Sequence, residues 1–317
     1  MLNDNSISSI GEKGLIEIIT SKVDNSFLGD DAAVLMSDFN NLLVSSDMLI
    51  QSHHFPEQMS YFQMGFKIVT VNVSDINAMG GVPKFFLLNV GVPKDLSVSS
   101  FEEIIDGVLE ACKYYGVELV GGDTDEASEI LLSGTVLGSG ENSLLKKGFK
   151  KGDLLCLTGN LGFAALGFHL LKSGLSGGDF YKSKILNPIV NLKCGEILRS
   201  VASSATDITD GLSEELYEML DASGDGFGFK VYEDKLPLSD DFCSLAGEVG
   251  VSPLDLFFNF GEDFELVFTI DKKFETDLSF LLDFFVIGEV TDTGNVVFVE
   301  SGGDESVLPR VGYEHLL

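Results

Sequence analysis

Basic residues are scarce in this chain of 317 residues. Lysine and arginine together number 20 against 50 aspartates and glutamates, so the formal net charge is −30. Nucleic acids and anionic membrane surfaces are bound through basic faces, and the balance therefore argues against both as partners. We expect most of the acidic residues simply to solvate the surface.

Cysteine and long apolar runs are also scarce. The four cysteines (Cys112, Cys156, Cys194 and Cys243) show no Cys-x-x-Cys spacing, which favours reduced core thiols over disulfides or a zinc site. No apolar run approaches the roughly 18 residues of a membrane span. The N-terminal residues lack the basic and apolar regions of a signal peptide. We therefore expect a cytoplasmic protein.

Two familiar phosphate-binding patterns are missing: the Gly-x-x-x-x-Gly-Lys-Ser/Thr loop and the protein-kinase motif set. Present instead are aspartates beside glycine, serine or threonine, at the ends of apolar runs where the chain is expected to turn. These aspartates are Asp30, Asp31, Asp47, Asp75, Asp123, Asp207 and Asp210.

The aspartates suggest a cation site. Two carboxylates 4 Å apart repel by about 4 kcal/mol at an effective dielectric constant of about 20. Acids that converge in one place therefore need cations, and hard divalent ions prefer oxygen ligands. One acidic turn alone is commonly a surface feature, but five such turns together predict a magnesium site for phosphates.

Strand-like and helix-like patterns alternate along the chain, which predicts a mixed α/β (α+β) fold in two domains. We place the boundary at 143/144, before a basic, glycine-punctuated segment. The first domain (1–143) contains a predicted strand over 42–50, a loop over 51–56 and a helix over 62–79. A further helix is expected to open on a capping box at Ser100 and to end at Gly116.

Some polar residues outside the acidic turns have two interpretations. Asn72 and Asp75 share one face of the predicted 62–79 helix with apolar residues, which indicates a site facing inward. Lys67 on the same helix is more often a solvated lysine, and His54 more often an incidental loop histidine. The pair Glu262 and Asp263 fits either a solvated turn or cation recognition.

Taken together, the motifs resemble those of the thiamine-monophosphate kinase family over nearly the whole chain. The resemblance rests on the order and spacing of these segments: Gly29-Asp30-Asp31-Ala32, Ser45-Ser46-Asp47, His54-Phe55, Asn72-Val73-Ser74-Asp75, Gly121-Gly122-Asp123-Thr124, Asp207-Ile208-Thr209-Asp210-Gly211-Leu212, Gly261-Glu262-Asp263-Phe264-Glu265-Leu266 and Gly312-Tyr313.

The resemblance implies ATP-dependent phosphorylation of thiamine phosphate to thiamine diphosphate, with several Mg²⁺ ions. It also implies a two-domain PurM-like architecture. The N-terminal sheets of two subunits would pair into a barrel, so that the protein would be a homodimer, and the C-terminal domain (144–317) would complete the nucleotide and substrate site.

The resemblance further implies residue roles. Magnesium would be held by Asp31, Ser45, Ser46, Asp47, Asp75, Asp123, Asp207 and Asp210. ATP would contact Gly122, Asp123, Lys146 and Thr209. Thiamine phosphate would contact His54, Glu262, Asp263 and Tyr313.

Three residues depart from the family pattern. Lys146 stands where the family usually has arginine, which replaces a two-pronged phosphate contact with a point charge; Lys147 is an alternative for this contact. Thr209 replaces serine and keeps the hydroxyl group. Phe260 replaces a small residue, and we expect it to narrow the substrate pocket.

Two rival functions remain at this point. One is a sister enzyme of the same superfamily that acts on an amidine or on selenide. The other is a non-catalytic acidic protein that binds Ca²⁺ or Mg²⁺, which would leave the glycines beside the acids unexplained.

Overall fold

The computed structural model describes residues 6–23, 41–224 and 226–313. The chain divides into two compact units, one of Met1–Ile76 with Val82–Glu141 and one of Asn77–Gly81 with Asn142–Leu317. The roles assigned to residues 1–143 and 144–317 stay predictions.

The described part of the first unit combines a sheet with helices. Its elements in chain order, after a 3-10 turn at Ile7–Ser9, are α1 (Gly11–Lys22), β1 (Leu42–Ile50), α2 (Gln51–His54), α3 (Tyr61–Ala78, the end of which enters the second unit), β2 (Val82–Val92), α4 (Val98–Tyr115), β3 (Glu118–Glu126) and β4 (Leu131–Ser139). The strand order is β1-β4-β2-β3. Strands β2 and β3 run parallel, whereas the other neighbours run antiparallel.

Helix α3 packs closely on strand β4 because two glycines leave room for it. A Cβ atom on Gly134 would lie 2.4 Å from the Nδ2 atom of Asn72. A Cβ atom on Gly138 would lie 2.9 Å from Cγ2 of Ile76. Two of the inward-facing residues of β4 are therefore glycines where the helix crosses the sheet.

On the face of this sheet opposite helix α3, several apolar side chains are exposed in the single chain. Along β1, the buried residues Leu43 and Leu49 alternate with Leu42, Val44 and Met48, which are 50%, 59% and 51% exposed. A strand places alternate side chains on opposite faces, so the exposed residues share one surface.

The described part of the second unit is built on a larger mixed sheet. Its elements are β5 (Leu154–Leu157), α5 (Phe163–Ser173), α6 (Asp179–Leu186), α7 (Leu192–Leu198), β6 (Ala202–Asp207), α8 (Leu212–Ser223), β7 (Gly228–Tyr232), α9 (Asp240–Val249), α10 (Pro253–Phe258), β8 (Leu266–Ile270), α11 (Glu275–Ser279), β9 (Phe285–Thr291), β10 (Val296–Val299) and β11 (Glu305–Val307), with 3-10 turns at Glu233–Lys235 and Lys272–Phe274. The strand order is β11-β10-β7-β9-β5-β8-β6.

Both faces of this larger sheet are buried. In the interior strand β5, Leu155 and Leu157 belong to one hydrophobic cluster, and Leu154 and Cys156 belong to another. Because neighbouring residues point to opposite faces, the continuous apolar run of β5 reflects cover on both sides of the sheet.

The structure confirms most of the predicted elements near the site. Strand β1 has the predicted limits, α3 matches the helix expected over 62–79, and α4 ends at Gly116 with φ of 69°. The capping prediction was wrong by one turn, because Ser97 accepts the N–H of Ser100 and caps α4. The segment expected as a loop over 51–56 begins with the single turn α2.

The four cysteines are free, and Cys112, Cys156 and Cys194 are buried. Among the described residues, no helix is both long and apolar enough to cross a membrane.

Candidate functional site

In the first unit, strand β1 and helix α3 bring together several of the predicted metal ligands. The hydroxyl group of Ser45 donates to the Asp75 carboxylate. The amide oxygen of Asn72 accepts the backbone N–H of Asp47 at 3.1 Å, and its Nδ2 donates to the carbonyl of Ile68 at 2.8 Å. The fully buried Asn72 thus ties the backbone of Asp47 to the helix that carries Asp75.

Three of these acids lie within regular elements rather than in turns, as the predicted strand over 42–50 and the predicted helix over 62–79 already indicated for Asp47 and Asp75. Asp47 lies within β1, Asp75 within α3 and Asp123 within β3. Alternate side chains of a strand point to opposite faces of the sheet. Ser45 and Asp47 therefore lie on the same face as the buried Leu43 and Leu49. Ser46 points to the opposite face, where its hydroxyl donates to the carbonyl of Gly134 at 2.7 Å.

The Gly122-Asp123 pair lies on strand β3. The φ angle of Gly122 is 150°, and a Cβ atom there would lie 1.7 Å from the carbonyl oxygen of Leu88. Only glycine fits this approach of two strands. Asp123 is exposed, and its carboxylate accepts the N–H of Thr124 at 2.9 Å.

Lys67 is fully buried, so the interpretation as a solvated lysine was wrong. Its ammonium group donates to the backbone carbonyl of His54 at 2.9 Å. The His54 ring is also held, since its Nδ1 accepts the N–H of Ile50 at 2.9 Å. The lysine thus anchors the segment that presents the predicted substrate residue.

In the second unit, the predicted metal and ATP residues lie between strand β6 and helix α8. Asp207 ends β6 and is buried, and Thr209 and Asp210 form the turn before α8. The carboxylate of Glu215, only 2% exposed, accepts the N–H of Thr209 at 3.4 Å, its hydroxyl at 3.3 Å and the N–H of Asp210 at 3.5 Å.

Lys146 approaches the same carboxylate. Its Nζ lies 3.6 Å from Oε2 of Glu215 and donates a hydrogen bond to Glu218. Lys147 is exposed, and no ion pair is found for it with the described residues. Lys146 and Lys147 therefore remain alternatives for the phosphate contact.

Burial and the neighbouring charges both shift the pKa values of Glu215 and Lys146. Burial raises the pKa of Glu215 to about 8; the charges of Asp207, Glu218 and Asp210 raise it further, and Lys146 partly offsets them. Burial alone would lower the pKa of Lys146, but its hydrogen bond to Glu218 and the neighbouring carboxylates outweigh this effect and raise it.

The loop that begins at Gly261 packs directly on the Thr209–Asp210 turn. A Cβ atom on Gly261 would lie 1.6 Å from the carbonyl oxygen of Thr209, and the N–H of Glu262 donates to that oxygen at 3.1 Å. The N–H of Tyr313 donates to the carbonyl of Asp210 at 3.0 Å. The structure thus gathers residues predicted for metal, ATP and substrate around one turn.

This loop also borders a cavity of about 230 Å³ within the second unit. Three acids line one part of it, and residues of α6 and the segment after it line the rest: Glu262, Asp263, Glu265, Phe180, Ser183, Lys184, Asn187, Pro188 and Ile189. Tyr313 is not among these residues. Phe260 does not line this cavity either, and its ring centroid lies 6.0 Å from that of Phe168. That Phe260 narrows the substrate pocket stays a prediction.

The acids of the cavity are held in place. Asp263 accepts the N–H groups of Gly162 at 2.6 Å and Ala164 at 2.9 Å, at the start of α5. Glu265 accepts the hydroxyl of Thr158 at 2.6 Å. Glu262 has φ of 68°, an unfavourable left-handed conformation of the kind that collects at functional sites.

Burial shifts the pKa values of both held acids. It raises the pKa of Asp263 to about 7, although the two backbone N–H groups oppose the shift. It also raises the pKa of Glu265, opposed by the hydrogen bond from Thr158. Lys184 lowers both values and lies 5.4 Å above the Phe180 ring.

Some site residues are not indicated by the sequence. Glu215 resembles many other acids in so acidic a chain, and its partners identify it only after folding. Glu265 belongs to the Gly261–Leu266 motif, but the sequence gives it no role. Phe180 and Lys184 lie in a helix with no motif. Asp31 lies outside the described residues, and the described residues contain no group of three His, Cys, Asp or Glu side chains arranged to hold a metal ion.

Comparison with known proteins places these observations in a family. The chain matches the AIR synthase related protein family models, with the N-terminal domain over residues 29–139 and the C-terminal domain over 150–300. It is 37% identical over 310 residues to the thiamine-monophosphate kinase of Pyrococcus horikoshii, covering 98% of this chain and 97% of that protein. The enzyme of Aquifex aeolicus is 30% identical and covers 98% of this chain and 99% of its own length.

Solved structures agree. The complex of AaThiL with AMPPCP and TMP superposes with a TM-score of 0.80 at 29% identity, covering 97% of this chain and 98% of that chain. Escherichia coli HypE, a hydrogenase maturation protein, has a TM-score of 0.78 at 18% identity and covers 95% of this chain and 97% of its own; it shares the fold. With the two-domain PurM-like fold and motifs that span both units, the chain belongs to the thiamine-monophosphate kinase family.

Proposed function

We propose that this protein transfers the terminal phosphoryl group of ATP to thiamine phosphate, forming thiamine diphosphate. The observation that carries the proposal is the turn at Thr209–Asp210. Thr209 is predicted to bind ATP and Asp210 to bind metal, and the loop with the predicted substrate residue Glu262 contacts both through this turn. The chain that carries them belongs to this kinase family. The related AaThiL complex contains an ATP analogue and TMP.

The donor groups fit magnesium. Asp207, Asp210 and Asp75 offer carboxylate oxygens, which Mg²⁺ prefers, and neither Asp207 nor Asp210 is fully exposed. Asp207, Asp210, Glu215 and Glu218 surround Lys146, so carboxylates outnumber the lysine there and positive charge is short. Bound Mg²⁺ would supply that charge and neutralise the phosphates during in-line transfer. Asp31, Ser45, Ser46, Asp47 and Asp123 complete the proposed ligand set.

The residues of the protein then bind and orient the two substrates. The phosphate nucleophile is already ionised at neutral pH, so no general base is needed, and positioning carries most of the catalysis. Lys146 or Lys147 contacts the phosphates of ATP, together with the Thr209 hydroxyl and the Gly122–Asp123 backbone. His54 donates or accepts a hydrogen bond at the acceptor substrate.

The cavity beside Glu262 and Asp263 supports the assignment of these residues to the acceptor. Thiamine phosphate carries a cationic thiazolium ring and an aminopyrimidine ring. Carboxylates together with the Phe180 ring suit such a group, because cations are attracted both to negative charge and to aromatic faces. We place Tyr313 next to the same substrate.

We also propose a homodimer in which the first-unit sheets of two subunits form a barrel. The supporting observation is the apolar face of β1, where Leu42, Val44 and Met48 are at least half exposed. Contiguous exposed apolar surface commonly marks an interface. The cytoplasmic location stays a prediction.

The test is a direct assay of purified protein. With ATP, Mg²⁺ and thiamine phosphate, chromatography should detect thiamine diphosphate, and removal of Mg²⁺ should abolish its formation. An amidine substrate or selenide in place of thiamine phosphate should give no phosphorylated product. Turnover of one of these in preference to thiamine phosphate would assign the protein to a sister enzyme, and metal binding without turnover would assign it to the non-catalytic class.

Two variants test the metal ligands. Asp47→Asn and Asp123→Asn each remove a proposed ligand charge at constant side-chain size, and each should lower kcat by about 100-fold or more. Thermal unfolding should show that both variants stay folded. Near-normal turnover in both would remove these residues from the site.

A further inference from the structure

Glu215 lies where the parts of the proposed nucleotide site in the second unit meet. One of its carboxylate oxygens, Oε1, faces the Thr209–Asp210 turn, and the other, Oε2, faces Lys146 at 3.6 Å. Thr209 of the turn and Lys146 are 63 residues apart in the chain, and the Glu215 side chain contacts both.

The geometry differs from that of an ordinary helix cap. Helix α8 begins at Leu212, and its N-cap residue Gly211 has no side chain to serve as a cap. The N–H groups that Glu215 accepts belong to Thr209 and Asp210, before the helix begins. The carboxylate therefore holds the preceding turn, which carries proposed metal and ATP residues.

We propose that Glu215 is a positioning residue that holds the Asp207–Asp210 turn and Lys146 in one fixed arrangement for magnesium-bound nucleotide. This inference rests on the proposed function and assigns a role to a residue outside the ligand set inherited from the family. Groups that orient metal ligands tune metal affinity without touching the metal themselves.

Burial makes this arrangement specific. The side chain of Glu215 is 3% exposed and has little access to water, so its interactions come mainly from the groups packed around it. Glu218 also bonds Lys146, but its side chain is 37% exposed and is found in no hydrogen bond with the turn. Glu215 therefore joins both parts, whereas Glu218 contacts the lysine.

The experiment measures calorimetric binding of the non-hydrolysable analogue AMPPCP at several Mg²⁺ concentrations, together with steady-state kinetics. Glu215→Ala removes both contacts. Glu215→Gln keeps an oxygen that can accept from the turn but places an amide NH2 group, which cannot accept a hydrogen bond, opposite Lys146. Glu218→Gln weakens only the lysine contact. Glu214→Ala, on the same helix, is the matched control because Glu214 pairs with Arg310 instead.

We expect Glu215→Ala to weaken magnesium-dependent AMPPCP binding by about 10- to 100-fold, the range for lost orienting partners of metal ligands. Glu215→Gln and Glu218→Gln should each give a smaller loss, and Glu214→Ala should bind like the wild type. Stoichiometry should stay at one nucleotide per chain, because a purely structural defect would lower the fraction of competent protein rather than the affinity.

The inference would be overturned if Glu215→Ala bound AMPPCP as tightly as Glu214→Ala does. It would also be overturned if Glu215→Ala bound less than one nucleotide per chain at unchanged affinity. If Glu215→Ala does not fold, Glu215→Gln decides: unchanged affinity in this folded variant would also overturn it. Failure of the proposed function is separate, since it would appear as wild-type protein that does not phosphorylate thiamine phosphate.

Discussion

At the scale of single residues, the site depends on where a side chain is missing as much as on where one is present. Gly134 leaves room for Asn72, and Gly261 lets a loop approach the Thr209 carbonyl. Each of these contacts fixes the backbone beside a proposed ligand. Substitution at such positions tests the geometry without removing any charged group.

Gly261→Ala is expected to disrupt the turn. Its Cβ atom would overlap the Thr209 carbonyl, 1.6 Å away, so either the turn or the loop must move. We expect kcat/KM to fall by about 100-fold, since a displacement of about 1 Å at a reacting site has effects of this size. Gly247→Ala in α9 is the control: it meets nothing within 4 Å and should stabilise the helix by about 0.5–1 kcal/mol.

Lys67→Met should affect both stability and substrate binding. It leaves the His54 carbonyl without its ammonium donor, and an unsatisfied buried group costs about 1–3 kcal/mol in the free energy of unfolding. Urea denaturation measures this loss. The KM for thiamine phosphate should rise while the KM for ATP changes less. The exposed Lys84→Met on β2 should change neither quantity.

At the scale of elements, the site is formed where strands and helices end or cross. Strand β6 ends at Asp207, helix α8 begins after Gly211, and helix α5 begins where Asp263 receives its N–H groups. Unpaired N–H groups at a helix start favour a carboxylate, which explains how Asp263 is fixed. Burial of that carboxylate nevertheless opposes its charged form.

Because burial raises the pKa of Asp263, the free energy of unfolding depends on pH. The pKa of Asp263 is about 7 in the folded protein and near its ordinary value of 3.8 when unfolded. Between these values the folded state binds a proton that the unfolded state has released. The contribution of Asp263 to stability is therefore fully present below about pH 4 and is lost as the pH rises to about 7.

Asp263→Asn should remove this contribution. We expect the difference in the free energy of unfolding between wild type and variant to shrink as the pH rises from 5 to 8, as measured by urea denaturation at each pH. Asp240→Asn, at the exposed start of α9, should show no such trend. A difference that is constant with pH would contradict the raised pKa of Asp263.

At the scale of the whole molecule, the first-unit sheet has an exposed apolar face that the proposed dimer would cover. Val44 is 59% and Met48 is 51% exposed on β1. Charged residues on such a face would oppose association, because they would lose water in an apolar interface.

Val44→Asp with Met48→Glu should therefore convert a dimer to a monomer, as measured by sedimentation or light scattering. Because these side chains are exposed, the monomer should keep its secondary structure by circular dichroism. Phe280→Glu is the control, since this residue of the second unit is 81% exposed and should not change the mass. A wild-type monomer, or a double variant that stays dimeric, would refute this interface.

Much of the local structure is determined by the sequence alone. The β-rich run over 42–50, the apolar stripe of the helix over 62–79 and the glycine that ends α4 are local patterns, and each predicted its element. The motifs also identified the residues now found together at the Thr209–Asp210 turn, because their order along the chain is characteristic of the family.

Only the tertiary structure decided which of these residues meet. Thr158 and Glu265, which share a hydrogen bond, are 107 residues apart, and Lys146 reaches Glu215 and Glu218 from a distant segment. The burial of Lys67 likewise depends on the packing around α3 rather than on its neighbours in sequence. Periodicity reports which face of an element is apolar, whereas partners are set by how elements pack, and no local pattern contains that information.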